Sequence, residues 1–152
     1  MSRSRTLLAG IALVLLGGCA TTFVGVTPVA PQVGNPNFPV LADSLQPLLQ
    51  WARHPDAERY DLIIYEGIKT SSAWEGTKRA VGREAYYREG LMATEHRVEQ
   101  PLKPDTEYYW SVRLRRGTSV SPWSRYDYTA FFGTGYMKAG NQLFIFKTPK
   151  TP

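Results

Sequence analysis

The fold class of this chain is decided by residues 102–115, which read LKPDTEYYWSVRLR. A turn signal, Pro104-Asp105, comes first, and apolar and polar side chains then alternate along the chain. A period of two residues is typical of a β-strand that turns one face to the core. The stretch therefore predicts a half-buried strand. Its apolar face would hold Tyr108, Trp110, Val112 and Leu114, and its outer face Glu107, Tyr109, Ser111, Arg113 and Arg115.

Short apolar runs bounded by turn residues continue on both sides of this strand, and no sustained helical stripe occurs after residue 38. About seven strands in roughly 110 residues are typical of an immunoglobulin-like sandwich. We therefore expect an all-β fold, an antiparallel sandwich that spans residues 38–149. The predicted strands lie at residues 38–41, 48–51, 60–66, 95–99, 106–115 and 143–146, with further candidates at 80–81 and 85–87.

The spacing Leu-x-Pro-x-Thr-x-Tyr at residues 102–108 resembles the signature of fibronectin type III domains. The resemblance extends over residues 38–149 and implies the sandwich fold of that family. It also implies that the Tyr108 hydroxyl bonds to upstream backbone while its ring closes one end of the sandwich. The residues that receive structural roles from the resemblance and from the alternation are Tyr108, Trp51, Trp110, Leu102 and Pro104.

The chain departs from this family at residues 116–142, a long insertion before the last strand. It contains Ser-Pro-Trp-Ser at residues 121–124, where the last strand of the family usually begins, and then an aromatic run at residues 126–137. Two interpretations stay open: the aromatic side chains form a binding surface, or they fold back over an exposed sheet edge. The candidate binding residues are Tyr126, Tyr128, Phe132, Tyr136 and Trp123.

Trp123 also has a structural interpretation. In cytokine-receptor members of the fold, tryptophans of a Trp-Ser-x-Trp-Ser element stack between arginines of the neighbouring strand. Here only Pro-Trp-Ser is present, but Arg113 and Arg115 lie on the outer face of that neighbour. A cation–π stack contributes about 0.5–1 kcal/mol at an exposed site. We therefore expect Trp123 to stack on one of these arginines.

The N-terminal residues, MSRSRTLLAGIALVLLGGC, have the build of a secretory signal. Arg3 and Arg5 precede an apolar run that is shorter than the roughly 20 residues needed to span a bilayer. Leu-Gly-Gly-Cys at residues 16–19 resembles the lipobox of bacterial lipoproteins, and Cys19 is the one cysteine of the chain. The resemblance implies that the signal peptide 1–18 is removed and that diacylglycerol is linked to the Cys19 thiol. We expect no cofactor apart from this covalent lipid.

The lipobox implies a cell-envelope address in which the membrane holds the lipid. Ala20 stands where an aspartate retains enteric lipoproteins in the inner membrane, so for a Gram-negative source we expect the outer membrane, facing the periplasm or the cell surface. Residues 19–37 carry prolines without a helical period and predict an extended tether of up to roughly 50 Å, at about 3 Å per residue. The alternative for Phe23, Val24 and Val26 is packing on the domain or on a partner.

Composition excludes several classes of site. One cysteine permits neither an intramolecular disulfide nor a thiolate zinc cage, and His54 and His96 leave little material for a metal site. Removal of residues 1–18 lowers the net charge from +5 to +3, so we expect no nucleic-acid binding. The basic run at residues 78–83, with Arg88, is interspersed with glutamates and predicts a solvated face. The chain contains none of the common catalytic or phosphate-binding motifs.

From these observations we expect a membrane-anchored, non-catalytic module that binds another envelope protein. Binding of glycan or peptidoglycan by the same sandwich is the alternative, since aromatic faces and outward arginines also suit sugars and acidic polymers. A small envelope hydrolase is a further alternative. It would need a pocket that joins His54 or His96 to a carboxylate and a hydroxyl.

Overall fold

The computed structural model describes residues 19–32, 38–72, 76–132 and 135–151. The regular structure of these residues is β-strand, so the predicted all-β class is confirmed. None of them belongs to a helix that could cross a lipid bilayer. The predicted signal peptide 1–18 lies outside the described residues. The strands are β1 Cys19–Val24, β2 Pro28–Ala30, β3 Val40–Leu41, β4 Leu48–Trp51, β5 Arg59–Ser72, β6 Gly76–Leu91, β7 Glu95–Arg97, β8 Glu107–Arg116, β9 Ser119–Val120, β10 Arg125–Phe132, β11 Gly135–Gln142 and β12 Phe144–Lys147.

The largest sheet has the strand order β3-β12-β8-β5-β6, and β9 pairs with the end of β8. β3 runs parallel to β12, and the other neighbours are antiparallel. β8, the strand predicted from the opening stretch, lies in the middle of this sheet. Its Trp110 is opposite Phe144 of β12 on one side and Ile64 of β5 on the other.

β8 is buried on both faces over its first six residues, although the alternation predicted a half-buried strand. Two of the outward side chains, Glu107 and Ser111, have polar partners on neighbouring segments. The Ser111 hydroxyl donates a hydrogen bond to the carbonyl oxygen of Ser124 at 2.5 Å. Glu107 is ion-paired with cations of β5 and β6. Polar residues occupy a buried face here because their hydrogen-bonding groups are satisfied.

Two smaller antiparallel sheets, β2-β4-β7 and β1-β10-β11, complete the described fold. In the first, Trp51 of β4 is opposite Pro28 of β2, and Leu49 is opposite His96 of β7. The three sheets contribute to one hydrophobic core. Its largest fully buried side chains include Trp110, Tyr108, Tyr126, Phe144, Phe146, Leu49, Leu62, Ile64, Val26, Val98 and Val112.

Part of the predicted tether forms strands on the domain. β1 pairs with β10 along its whole length, from Cys19 opposite Ala130 to Val24 opposite Arg125. β2 adds a further strand to the sheet of β4 and β7. An extended segment that is rich in threonine, valine and phenylalanine readily pairs with an open sheet edge. Residues 19–32 are therefore part of the folded unit, and residues 33–37 of the predicted tether lie outside the described residues.

Two apolar side chains of this segment, Phe23 and Val26, pack on the domain, which is the alternative stated above to an extended tether. Val26 is buried in the core, and the ring of Phe23 packs against the rings of Tyr126 and Phe144, with centroid distances of 6.2 and 6.3 Å. Val24 points the other way and is 48% exposed. Phe23 and Val26 therefore attach the N-terminal strands to the core.

Residues 116–142, the predicted insertion, leave the edge of β8 and return to it. The chain first runs back along the end of β8, where the N–H of Ser124 donates to the carbonyl oxygen of Val112 at 3.0 Å. It rejoins β8 at Phe144, opposite Trp110. The β10–β11 hairpin is an excursion between these two points, and it builds its own sheet with β1.

Candidate interaction surface

β5 and β6 continue beyond the rest of their sheet as a two-stranded ribbon. β8 pairs with β5 only from Arg59 to Glu66, whereas β5 continues to Ser72. Beyond that point, residues 67–72 pair with residues 76–81 of β6, and we call these residues the distal ribbon. Among the described strands, none pairs with the outer edge of β6. The distal ribbon therefore presents an open strand edge.

A buried carboxylate holds the base of the distal ribbon. Lys69 and Arg79 lie opposite each other on β5 and β6. The Nζ atom of Lys69 is 2.6 Å from Oε1 of Glu107, and the Nε atom of Arg79 is 3.0 Å from Oε2. The Glu107 side chain is only 5% exposed. Two cations on directly opposite positions repel each other, so the charge of Glu107 offsets their repulsion and links the ribbon to β8.

The distal ribbon exposes apolar side chains on both faces. Ile68 is 49% exposed and Val81 is 46% exposed. Ile68 pairs with Ala80, the neighbour of Val81, so Ile68 and Val81 point to opposite faces. Below them, a Cβ on Gly82 would lie 2.6 Å from the carbonyl oxygen of Glu66, so only glycine fits there. Exposed apolar residues beside an open edge are typical of a surface that accepts another chain.

This surface is not predictable from the sequence alone. The basic run at residues 78–83 predicts a solvated face, and in the structure Arg79 and Arg83 are ion-paired with Glu107 and Glu66. The long run of strand-forming residues on both sides of residues 73–75 does indicate a long hairpin. That run does not reveal which part of the hairpin leaves the sheet, because this depends on where β8 begins.

Two of the predicted binding residues are buried. Tyr126 is 0% exposed and stacks on Phe144 with a centroid distance of 6.1 Å, and Tyr128 is 4% exposed. Burial raises the pKa of Tyr126 to about 12, and the nearby Tyr109 and Tyr128 contribute to the shift. These two rings belong to the core and are unavailable for direct contact with a partner. For these two rings the second interpretation applies, in which the aromatic side chains fold back onto the domain.

The exposed aromatic side chains of the insertion lie near the end of its hairpin. Tyr136 is 70% exposed and Phe131 is 51% exposed. They are opposite each other on β10 and β11, with ring centroids 6.4 Å apart. Of the two, the sequence predicted only Tyr136. Phe131 lies on the alternate face from Tyr126 and Tyr128, so the burial of those two rings turns it outward.

Two further predicted residues have side chains outside the described part of the chain, Phe132 and Cys19. Their backbone positions are described. Phe132 ends β10 opposite Gly135, and Cys19 begins β1 opposite Ala130. The lipidated residue of the prediction therefore lies two positions from the end of the hairpin strand β10.

Trp123 makes the predicted stack. The Cζ atom of Arg113 lies 4.5 Å from the centroid of the Trp123 ring. Arg113 and Arg115 also bind the buried carboxylate of Asp61 at 2.8 and 2.6 Å, and the N–H of Gly90 donates to it at 3.1 Å. Burial alone would raise the pKa of Asp61, but the hydrogen bonds from Arg115, Arg113 and Gly90 outweigh it and hold the pKa below its ordinary value. Trp123 is therefore part of a packed ion cluster.

The Tyr108 hydroxyl makes the contact that the resemblance implies. It accepts a hydrogen bond from the backbone N–H of Lys103 at 2.9 Å. Burial raises the pKa of Tyr108. The ring also stacks on Phe146 of β12 with a centroid distance of 5.6 Å. The other residues with predicted structural roles are Trp51, Trp110 and Leu102, which are in the core, and Pro104, which is exposed in the turn before β8.

The two histidines lie in different surroundings. The Nδ1 atom of His54 is 3.9 Å from a carboxylate oxygen of Asp56 in a turn. The Nε2 atom of His96 is 2.6 Å from the hydroxyl oxygen of Tyr86, and burial lowers the pKa of His96. Within the described ranges, no group of three or more His, Cys, Asp and Glu side chains is placed to hold a metal ion.

A scan against protein-family models and searches of the curated proteins and of the solved structures found no match for this chain.

Proposed function

We propose that this chain is a lipid-anchored protein of the cell envelope and that its folded part is a non-catalytic module that binds another envelope protein. The distal ribbon carries this proposal. Its outer edge offers backbone N–H and C=O groups to an extended segment of the partner. Ile68 and Val81 offer apolar contacts on its two faces. In strand addition of this kind, backbone hydrogen bonds supply affinity and side-chain contacts supply specificity.

We also propose that residues 38–149, together with β2, form a fibronectin type III-like sandwich. Its two layers would be β2-β4-β7 and β12-β8-β5-β6, whose buried side chains belong to one core. The hydrogen bond from Lys103 to the Tyr108 hydroxyl supports this assignment. Sandwiches of this kind serve many unrelated functions. The binding proposal therefore rests on the ribbon and not on the fold.

The lipid anchor is supported by the lipobox-like residues 16–19 and by the absence of any other cysteine from the sequence. Acyl chains on Cys19 would hold the protein firmly, because each buried methylene contributes about 0.8 kcal/mol. With Ala20 after the cysteine, we propose the outer membrane as the location in a Gram-negative cell. The anchor would concentrate the module beside envelope partners.

A photo-cross-linking amino acid at Val81 tests the proposal in intact cells. The matched control is the same amino acid at Val120, another exposed strand valine, which lies on β9 (41% exposed, against 46% for Val81). We expect one envelope protein to be cross-linked from position 81 and not from position 120. The product should disappear in Cys19→Ala, because the unanchored protein is no longer held beside its partner.

The contrary results are equally definite. Equal cross-linking from both positions, or none from position 81, would overturn the ribbon as a binding surface. Retention of the purified protein on peptidoglycan sacculi, unaffected by Ile68→Ser and Val81→Ser, would favour the glycan alternative. Survival of the specific product in Cys19→Ala would show that binding at the ribbon does not require the lipid anchor.

A further inference from the structure

We propose that the exposed end of the β10–β11 hairpin contacts the bilayer that holds Cys19, so that the domain lies directly on the membrane surface. The contact residues are Phe131 and Tyr136, which we call the aromatic pair. This inference rests on the lipid anchor proposed above. Residues 19–37 were expected to hold the domain away from the membrane, and we propose direct contact instead.

The strand register places the aromatic pair beside the anchor position. Cys19 is opposite Ala130 on β10, and Ala130 is opposite Met137 on β11. The next cross-strand pair toward the end of the hairpin is Phe131 with Tyr136. Because a strand rises by about 3.4 Å per residue, this pair lies roughly one residue's rise beyond the backbone of Cys19. An acyl chain that enters the bilayer from Cys19 therefore brings the pair to the lipid surface.

Because β1 is paired from its first residue, no unpaired linker separates Cys19 from the domain. β1 is paired with β10 from its first residue, Cys19, to Val24. Two residues later, Val26 is buried, and its N–H donates to the Ser124 hydroxyl at 2.7 Å. An anchor attached to a strand that is paired at its first residue cannot move far from its neighbours on the sheet. The lipid, β1 and the hairpin end would therefore approach the membrane together.

The chemistry of the aromatic pair suits the interface between lipid and water. Phe131 and Tyr136 are 51% and 70% exposed, so both rings have apolar surface left to bury. Tyrosine is enriched at the level of the headgroups, where its ring is in an apolar environment and its hydroxyl is hydrated. Residues 128–139 contain Lys138 and no acidic residue, so negatively charged headgroups would not be repelled.

The test places an environment-sensitive fluorophore on the lipidated protein. Tyr136→Cys is labelled with a nitrobenzoxadiazole after purification of the full mature chain in its lipidated form. The Cys19 sulfur is then a thioether and does not react with the label. Ile68→Cys, on the distal ribbon, is the matched control, since Ile68 is also exposed (49%) and lies on β5, in a different sheet from β1. Both proteins are reconstituted into vesicles of phosphatidylethanolamine and phosphatidylglycerol, with or without lipid that carries a nitroxide near the headgroup.

We expect the emission at position 136 to shift to shorter wavelength in vesicles and to be quenched by the nitroxide lipid, whereas the emission at position 68 stays as in water. A Phe131→Cys label should behave like the label at position 136, and it replaces that variant if Tyr136→Cys does not fold. Mass spectrometry of the N-terminal peptide reports separately on the anchor. A lipidated peptide together with water-like emission at positions 131 and 136 would overturn membrane contact and leave the anchor standing. An unmodified Cys19 in the protein from cells would overturn both.

Discussion

The Nε2 atom of His96 lies 2.6 Å from the hydroxyl oxygen of Tyr86 and joins two sheets by a side-chain hydrogen bond. His96 is on β7, in the sheet of β2 and β4, and Tyr86 is on β6 in the largest sheet. Arg88 lies over the Tyr86 ring, 5.0 Å from its centroid, and is ion-paired with Glu99. The Tyr86 side chain is therefore held by the histidine at its hydroxyl and by the cation over its ring.

This contact predicts a stability change in mildly acidic solution. Burial lowers the pKa of His96, Arg88 adds to this shift, and Glu99 opposes it. The folded protein binds the histidine proton less readily than the unfolded chain does. The contribution of His96 to the stability of the fold is therefore complete above the ordinary pKa of about 6.5 and is lost as the pH falls below that value. We expect the urea midpoint of the natural protein to decrease when the pH is lowered from about 7.5 to about 5.5. The decrease should be smaller in His96→Gln. The same slope in both proteins would contradict this role of His96.

Asp61 predicts a second loss of stability at lower pH. Its pKa is held below the ordinary value by Arg115, Arg113 and Gly90 against the effect of burial. The stabilisation is therefore complete above the ordinary aspartate pKa of about 3.9 and is lost as the pH falls through the lower folded value. Asp61→Asn should lower the free energy of unfolding at neutral pH by about 2–4 kcal/mol, because a buried charge partner is removed from two arginines.

The matched control for Asp61→Asn is Asp56→Asn. Asp56 is exposed and lies 3.6 Å from Arg116, so its replacement should leave the urea midpoint nearly unchanged. The difference between Asp61→Asn and the natural protein should also shrink in strongly acidic solution, where the natural carboxyl is protonated. A small effect of Asp61→Asn at neutral pH would show that Arg113 and Arg115 find other partners.

Two tyrosine hydroxyls predict opposite results for the same substitution. The Tyr108 hydroxyl accepts a hydrogen bond from Lys103, so Tyr108→Phe should lower the free energy of unfolding by about 1–2 kcal/mol. The Tyr126 hydroxyl is buried and has no hydrogen-bond partner within the described part of the chain. Tyr126→Phe should therefore be neutral or stabilising by up to about 1 kcal/mol. Thermal and urea unfolding of the two variants measure the difference, and an equal loss in both would disprove it.

Glu107 predicts a local change in the distal ribbon. Glu107→Gln keeps the shape of the side chain but removes the charge between Lys69 and Arg79, and we expect a loss of about 1–2 kcal/mol in unfolding free energy. Hydrogen exchange should increase mainly at residues 67–72 and 76–81, because among the described strands these residues pair only with each other. Glu95→Gln is the control, since Glu95 is exposed and accepts a hydrogen bond from the side-chain amide of Gln50 at 2.8 Å. Uniform acceleration of exchange in Glu107→Gln would contradict a local role.

Several strands were predictable because their signals are local. The alternation after Pro104-Asp105 predicted β8, and apolar runs between turn residues predicted β4, β7 and β12 to within two residues. The stack of Trp123 on Arg113 was predictable for the same reason, since both lie beside each other on adjacent segments. Such features depend on residues that are near in sequence or on one strand pair.

The exposed surfaces were harder to predict. Alternation in the run from Tyr126 onward separates two faces but does not state which one is buried. The ring of Phe144 decides this, because it stacks on Tyr126 from the core side, whereas Phe131 on the alternate face stays exposed. In the same way, the point at which β8 begins decides how much of the β5–β6 hairpin extends beyond the sheet.

By itself, the sequence determined that this is a β-protein with a turn before β8, a lipobox-like cysteine and an aromatic run at residues 126–137. These properties lie in short runs of residues and need no knowledge of distant contacts. Only the tertiary structure decided that the segment from Cys19 pairs with the inserted hairpin instead of extending as a tether. The same backbone is compatible with both states, and the choice depends on whether an open strand edge and a core surface are available to it.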